Sequence, residues 1–387
     1  MFVLEVSYGC PSDKYPDNGN FQLDQAKALA GIGHKVVFAA LDMRSVRRWR
    51  HWGLWRHEKD GLAVYEYNFP MGPFADKVRS KLAERGFAAV LKCVIAECGK
   101  PDVVHVHFAD TAQSVVTPCR EAGIPFVVTE HASSIMDNEK AARQSDMMKY
   151  VYSNAASVIA VSPALARQIK KYTGVDAAVV DDIVDVDVFF PAPATREEGV
   201  PFRFVSAGRA EHRKGFDVLV AAFARLNETY PDCVLLIMGG GAELDNIKRQ
   251  ISALGLDEKV HTFGAFRRED YATELNKSDC FVLASRHETF GMVYAEAMAA
   301  GVPVIATHCG GTEGFVNDEN GLMVDVDDVN GLADAMKRMR AHSADFDRAA
   351  IAASAYNRFA PASVAQKIAH ELERAVGSSN AKYPFEN

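Results

Sequence analysis

Short apolar runs of strand length recur along this chain with helical stretches between them. That alternation limits the fold more than any other feature. Residues 2–7, 35–41, 102–107, 125–129 and 157–161 read as strands, and so do 202–207, 233–238, 259–263, 279–284 and 302–306. Gln22 to Ala30 and Val78 to Glu97 read as helices between them. Strands alternating with helices predict a parallel, doubly wound sheet. The chain has 387 residues, which allows two such domains, each able to bury its own core. A break falls at 181–200, DDIVDVDVFFPAPATREEGV, acidic and then proline-rich. The expectation is an α/β chain of two Rossmann-like domains, 1–185 and 200–358.

Composition removes several classes of function. A formal net charge of −8 argues against a nucleic-acid protein. The 7 cysteines include no C-x-x-C pair and sit mostly in apolar surroundings, which fits a reduced, cytoplasmic chain with thiols in its core. The chain opens on a strand with no basic leader or long apolar segment, so no signal peptide is expected. No apolar run approaches the roughly 18 residues of a membrane span.

In open α/β sheets ligands bind beyond the C-terminal ends of the strands, so the loops there carry the functional reading. Residues 281–312, FVLASRHETFGMVYAEAMAAGVPVIATHCGGT, read strand, loop, helix, strand, loop, with Gly301 ending the helix and Pro303 just beyond. Val293, Ala297 and Ala300 share one helical face, and Glu296 lies beside them. A carboxylate there costs several kcal/mol unless something pairs with it. The helix start at Phe290–Gly291 offers free N–H groups and the positive end of the dipole, which suits a phosphate. With Glu288 and Glu296 as acceptors for hydroxyls, this unit suits a nucleotide sugar. A capped core helix with one internally paired Glu fits the spacing equally well.

Residues 202–227, FRFVSAGRAEHRKGFDVLVAAFARLN, form the second such unit. Gly208, Arg209, Arg213, Lys214 and Gly215 stand between a strand and an amphipathic helix. Cations before a helix N-terminus oppose its dipole at about 0.3–1 kcal/mol each. A bound anion removes that penalty; a solvated basic loop is the plain alternative. His107 and His131 close two strands, in HVHFAD and TEHAS, and two strand-end histidines raise the odds of function over structure. Ser162 and Pro163 read as an ordinary N-cap and N1 pair.

ETFGMVYAEAMAAGVPVIA resembles the E-x7-E element of retaining GT-B glycosyltransferases, in particular glycosyltransferase family 4. The resemblance covers most of the chain and is strongest over 202–324. It implies a GT-B fold: two Rossmann-like, doubly wound parallel-sheet domains facing a central cleft. The N-terminal domain is then the acceptor side, and the C-terminal one binds the nucleotide sugar. The last helix, about 362–376, crosses back to the first domain, and the polar tail 377–387 is expected to be loose.

The same resemblance implies site roles. Glu288 lies against the donor sugar and Glu296 holds the ribose hydroxyls. Backbone amides of Thr289, Phe290, Gly291 and Met292 face the sugar and diphosphate. Arg209 and Lys214, beside Gly208, grip the diphosphate, while Arg213 is read as surface. His131 lies near the donor sugar and acceptor, with His107 a weaker candidate. Phe266 and Arg267, in HTFGAFRRED, flank the base. The turn in LLIMGGG lies near the nucleotide, although GGGAEL is no dinucleotide fingerprint. Gly19, in YGCPSDKYPDNGNF, stands where the family has a glycine-rich loop facing the diphosphate and acceptor. The family's usual paired Gly and downstream His are missing there, and Gln22 and Gln25 stand near instead.

These roles imply retaining transfer of a sugar from a UDP- or GDP-sugar to a glycan, lipid-linked or small-molecule acceptor, without metal or other cofactor. Bacterial polysaccharide or glycolipid assembly is the expected setting. The D-x-D pairs Asp185/Asp187 and Asp325/Asp327 read as solvated acidic loops. The stretch 44–59, RSVRRWRHWGLWRHEK, holds all 3 Trp, at 49, 52 and 55. It suits an anionic membrane surface or a lipid-linked acceptor, and equally the packing of a loop onto its own domain. The competing functions are another GT-B nucleotide-sugar enzyme such as an epimerase, a dinucleotide-dependent oxidoreductase, and a non-catalytic membrane- or carbohydrate-binding module.

Overall fold

A computed structural model of the chain describes residues 1–15, 18–45, 49–71, 76–192 and 199–382. It divides into two compact units. One is Met1–Ile183 together with the segment from Pro361 onward; the other is Val184–Ala360.

The N-terminal unit runs β1 (Phe2–Ser7), α1 (Asn20–Gly31), β2 (Lys35–Asp42), β3 (Gly53–Lys59), β4 (Leu62–Asn68), α2 (Asp76–Cys98), β5 (Val103–His107), α3 (Ala109–Ala112), α4 (Val116–Ala122), β6 (Phe126–Glu130), α5 (Asn138–Asn154), β7 (Ser157–Ala160), α6 (Pro163–Thr173) and β8 (Ala178–Val179). Its strands form one sheet in the order β3-β4-β2-β1-β5-β6-β7-β8. Only β3 runs antiparallel to its neighbour. Buried Val3, Phe38, Val103 and Val127 of the sheet pack with Leu23 and Leu29 of α1, and with Ile368 and Leu372 of the last helix. That helix belongs to this unit by its apolar stripe.

The C-terminal unit runs β9 (Phe202–Ala207), α7 (Phe216–Thr229), β10 (Cys233–Met238), α8 (Leu244–Ala253), β11 (Val260–Gly264), α9 (Arg268–Asn276), β12 (Cys280–Val282), α10 (Met292–Ala299), β13 (Val304–Thr307), β14 (Gly321–Val324), α11 (Val329–His342) and α12 (Arg348–Phe359). The all-parallel order is β11-β10-β9-β12-β13-β14. Numbered from its own first strand this is 3-2-1-4-5-6, the doubly wound order. Its direction of winding reverses between β9 and β12. In the first unit the same reversal falls between β1 and β5. Loops beyond those strand pairs are where each unit can hold a ligand.

Three expectations need correction. The stretch 44–59 is more than a loop, because Gly53–Lys59 is a sheet strand, paired with Leu62–Asn68 through Asp60 (φ 50) and Gly61 (φ 78). Asp-Gly is the pair that a tight hairpin turn with two positive φ values prefers, and the signal stood in the sequence. The tail is not loose from Gly377, since the last helix, α13, spans Pro361–Lys382. One glycine costs a helix only about 1 kcal/mol, too little to stop one anchored by packing. Finally, α10 has no single buried face: Tyr294 to Ala299 are all buried. Helices α9 and α12 and strand β13 pack against it, so its surroundings, not its periodicity, set its burial.

Candidate functional site

In the C-terminal unit the loops after β9 and β12 meet at the winding reversal. Gly215 (φ 64) lets them approach, since a β-carbon there would lie 1.8 Å from the Ala284 carbonyl oxygen. The loop after β10 closes on the other side. A β-carbon on Gly239 would lie 1.7 Å from the Gly208 carbonyl oxygen, and Ala210 N donates to Gly240 O at 3.0 Å. The glycine turn of LLIMGGG thus serves backbone packing against the Gly208–Ala210 segment.

Lys214 is carried into this meeting point and buried. Its Nζ donates to Glu288 Oε1 at 2.6 Å, and the Ser285 hydroxyl donates to the same oxygen at 2.6 Å. Glu288 is itself buried, and its backbone is pinned on both sides, N to Cys309 O at 3.2 Å and O from Gly311 N at 3.0 Å. Oε2 of Glu288 makes no hydrogen bond among the described residues. The structure thus joins two predicted site residues, 74 positions apart, in one buried ion pair.

Arg209 lies in the same loop with its side chain 77% exposed, paired with Glu211 at 3.1 Å. Arg213, read as surface, is half-buried and pairs with the other oxygen of Glu211 at 2.9 Å. These cations hold the Glu211 carboxyl below its usual range, Arg213 contributing most. Gly291 (φ 104) precedes α10, and no side chain caps that helix. Its first-turn N–H groups therefore lack a side-chain partner. Thr289 and Met292 are half-buried beside it, and Phe290 is buried against Phe315, ring centroids 5.2 Å apart.

Glu296 sits within α10, buried, with Arg268 Nη2 at 3.7 Å. Desolvation lifts its carboxyl to about 7, with Arg268 opposing and Asp185 adding to the rise. Sequence reasoning missed Arg268, although it follows Arg267 directly. Phe266 packs on Tyr271 at 5.6 Å, while exposed Arg267 pairs with Asp270. The D-x-D pairs are partly neutralised by arginines: Asp185 lies 3.8 Å from Arg268, and Asp327 2.7 Å from Arg286. Neither pair joins a group of three or more close potential ligands among the described residues.

In the N-terminal unit the reversal between β1 and β5 gathers buried polar groups. Side chains two apart on a strand share a face. Glu5, His105, His107 and Thr129 therefore lie on the face that carries Val3, Val103 and Val127. Glu5 Oε2 accepts from His105 Nδ1 at 3.0 Å, and Oε1 from His107 Nε2. His105 Nε2 meets the Thr129 hydroxyl at 2.7 Å. His107 Nδ1 stands 3.0 Å from His131 Nε2, and His131 Nδ1 is 3.1 Å from Asp182 Oδ1. Burial works against the Glu5 charge, but the two imidazoles outweigh it and bring the carboxyl down to about 2. Burial brings His107 down to about 3 against the pull of Glu5. For His131, burial is outweighed by Asp182, with Glu130 and Glu5 helping, and its pKa rises.

Glu130 fixes the loops around this chain of groups. Its carboxylate accepts from Ala109 N (2.9 Å), His131 N (2.9 Å), Ala132 N (2.8 Å) and the Tyr152 hydroxyl (2.7 Å). Glu5 and His105 were missed because a charged or polar residue inside a strand run reads as an interruption, and Asp182 was read as part of the acidic break at 181–200. The alternate spacing of His105 and His107 was the available signal. Gly19 (φ 80) precedes α1, where a β-carbon would lie 2.1 Å from the Gly9 carbonyl oxygen. Gln22 and Gln25 are buried in that helix.

In the stretch 44–59, Arg44 and Arg50 both pair with Asp42, and Arg56 with Glu97. Trp55 stacks between His51 (5.0 Å) and His57 (4.2 Å). Trp49 remains 73% exposed. Arg47 and Arg48 lie outside the described residues.

Two family models match the chain: glycosyltransferase family 4 over residues 19–188, and glycosyl transferases group 1 over 193–357. A D-inositol 3-phosphate glycosyltransferase of Arthrobacter sp. (strain FB24) is 32% identical over 314 residues, 73% of each chain. The lipopolysaccharide core biosynthesis glycosyltransferase LpsE of Rhizobium meliloti (strain 1021) is 36% identical over 174 residues, 45% of this chain and 47% of that one. Among solved structures, sucrose-phosphate synthase of Thermosynechococcus elongatus superposes with TM-score 0.78 at 20% identity, over 98% of this chain and 100% of that one. Anabaena Alr3699/HepE in complex with UDP gives 0.74 at 19% identity, over 96% and 99%.

Proposed function

This chain belongs to the family 4 type of GT-B glycosyltransferases, and from that premise we propose that it transfers a sugar from a UDP- or GDP-sugar with retention and without a metal. The acceptor is a glycan or a lipid-linked or small molecule, in polysaccharide or glycolipid assembly. One observation carries this reading: the buried Lys214–Glu288 pair stands beside the uncapped start of α10, with Arg209 in the same loop.

As the bond between anomeric carbon and diphosphate breaks, negative charge grows on the phosphate. Arg209, Lys214 and the amides from Thr289 to Met292 stabilise that charge, and losing one such group costs about 10²–10³ in rate. Glu288 has one oxygen already fixed by Lys214 and Ser285, and its other oxygen serves the donor sugar. Glu296 takes the ribose hydroxyls, with Arg268 orienting its carboxylate. Phe266 flanks the base, and Gly208 allows close approach of backbone to the diphosphate. Gly19 and His131, in the N-terminal unit, serve the donor and acceptor. Attack on the same face as the leaving diphosphate is what the family resemblance implies for this step.

No helix of the described residues is long and apolar enough to cross a membrane. The reading is of a cytoplasmic enzyme, and exposed Trp49 with the β3 edge is the surface through which it would meet an anionic membrane. The test is thermal shift with UDP-, GDP- and ADP-sugars, followed by transfer assays with the stabilising donor in the presence of EDTA. A donor at 100 times its Kd stabilises the folded state by about 2.7 kcal/mol. Transfer that requires added metal, or a melting point unmoved by every donor, refutes the proposal.

A further inference from the structure

The buried groups at the reversal of the N-terminal sheet constrain each other's protons. Glu5 accepts two N–H bonds, so His105 carries its proton on Nδ1 and His107 on Nε2. His105 Nε2 then accepts a hydrogen bond from the Thr129 hydroxyl. A neutral His107 with its proton on Nε2 has a bare lone pair on Nδ1. That lone pair faces His131 Nε2 at 3.0 Å. Two bare nitrogens cannot sit at that distance, so one proton lies between them. On its other side, His131 Nδ1 approaches Asp182 Oδ1 at 3.1 Å. This is an ion-pair contact and not a hydrogen bond, and that buried oxygen has no hydrogen-bond partner among the described residues. A bare Nδ1 there would set a lone pair against a carboxylate in a buried site, so a proton lies on this side too.

With the proton on His107 Nε2, these make three protons on the four nitrogens of the two rings, so one of the facing rings is a cation. His107 is fully buried and shares Glu5 with His105, whereas His131 keeps 9% of its side chain exposed and has Asp182 to itself. We infer that His131 is held as an imidazolium, positioned by Asp182 on one side and by the Glu5–His107 pair on the other. It therefore acts as a fixed cation and not as a proton acceptor. The Glu130 and Glu5 carboxylates also favour the charged ring, and burial opposes it. Glu130, its chain neighbour, is satisfied by three backbone amides and Tyr152, and Phe108 covers the ring at 5.3 Å.

This deepens the reading of His131 and rests on the proposed glycosyl transfer for its use: with both ring nitrogens protonated, His131 cannot take a proton from the acceptor. The direct test is independent of activity. Full-length protein labelled with ¹⁵N-histidine is followed by long-range imidazole ¹H–¹⁵N correlation from pH 5 to 9, and the His131 signals are identified by their loss in His131→Gln. Both His131 nitrogens should carry protons at pH 7.5, and His107 only one. A bare His131 nitrogen at that pH overturns the inference, whatever reaction the chain performs.

In Asp182→Asn the midpoint of His131 deprotonation should fall by about 1–3 units, the effect of losing an adjacent opposite charge. Once transfer is measured, kcat/KM should decline as pH rises through the His131 midpoint, and the decline should move down with Asp182→Asn. Loss of activity on the acid side of that midpoint would make His131 a base and overturn the assignment. If Asp182→Asn fails to fold, the parent spectrum still decides.

Discussion

Replacing Lys214 with methionine keeps most of its stem and removes its charge. Both partners are deeply buried, with side chains 10% and 7% exposed. Glu288 would retain only the Ser285 hydroxyl on an ion held away from water. Breaking a buried pair by deleting one partner costs about 3–5 kcal/mol. At about 2–4 °C per kcal/mol for a domain of this size, melting of the C-terminal unit should fall by roughly 6–20 °C. Removing both charges behaves differently, because an apolar or neutral pair of similar volume is often no less stable than the ion pair. Lys214→Met with Glu288→Gln should therefore regain most of the lost stability.

Donor binding separates structure from function in this cycle. If the ammonium also contacts a diphosphate, the double variant stays blind to every donor that raises the parent's melting point. The assays are thermal and urea denaturation, with and without donor, on the parent, both single variants and the double. A single variant melting within 2 °C of the parent would refute the energetic argument. A double variant that binds donor as the parent does would refute the assignment of Lys214 to the diphosphate.

Glu296 gives a pH-dependent prediction. Its folded carboxyl stands at about 7 against an ordinary 4.5, so the folded chain holds a proton that the unfolded chain releases. The stability this group contributes is complete below pH 4.5 and lost as pH rises to 7. Glu296→Gln should therefore match the parent at pH 5 and exceed it at pH 8, by on the order of 2 kcal/mol, in urea unfolding of ligand-free protein. An equal effect at both pH values would count against a strained carboxylate. Donor affinity, which uses the ionised form for the ribose, should strengthen from pH 6 to 8. Gly215→Ala should cost about 2–4 kcal/mol and abolish donor binding, because its methyl group would collide with the Ala284 carbonyl. Gly255→Ala is the control: φ is similar at 66° with nothing within 4 Å, and only about 1–2 kcal/mol should be lost. Equal losses in the two would remove close packing as the reason for Gly215.

The two sheets were legible because parallel strands buried on both faces need near-continuous apolar runs, and Phe202–Ala207 or Cys233–Met238 admit little else. The E-x7-E segment was legible for a local reason: Glu288, the Gly291 turn and α10 are contiguous. The Asp60–Gly61 hairpin was equally local, but Trp and Arg in β3 drew attention to surface chemistry over strand pairing. Composition alone could not place these side chains, because whether Arg50 meets Asp42 or solvent depends on the sheet edge it folds against.

What the amino-acid order determined by itself was periodicity, turn chemistry and the contiguous motif, all of them interactions within a few residues. Tertiary structure decided the rest. It paired Lys214 with Glu288, set Arg268 beside Glu296, and lined up Glu5, His107, His131 and Asp182 from four separate segments. Strand order brings those segments together, and a carboxylate or imidazole acquires its charge state only from the neighbours and the dryness that this assembly imposes.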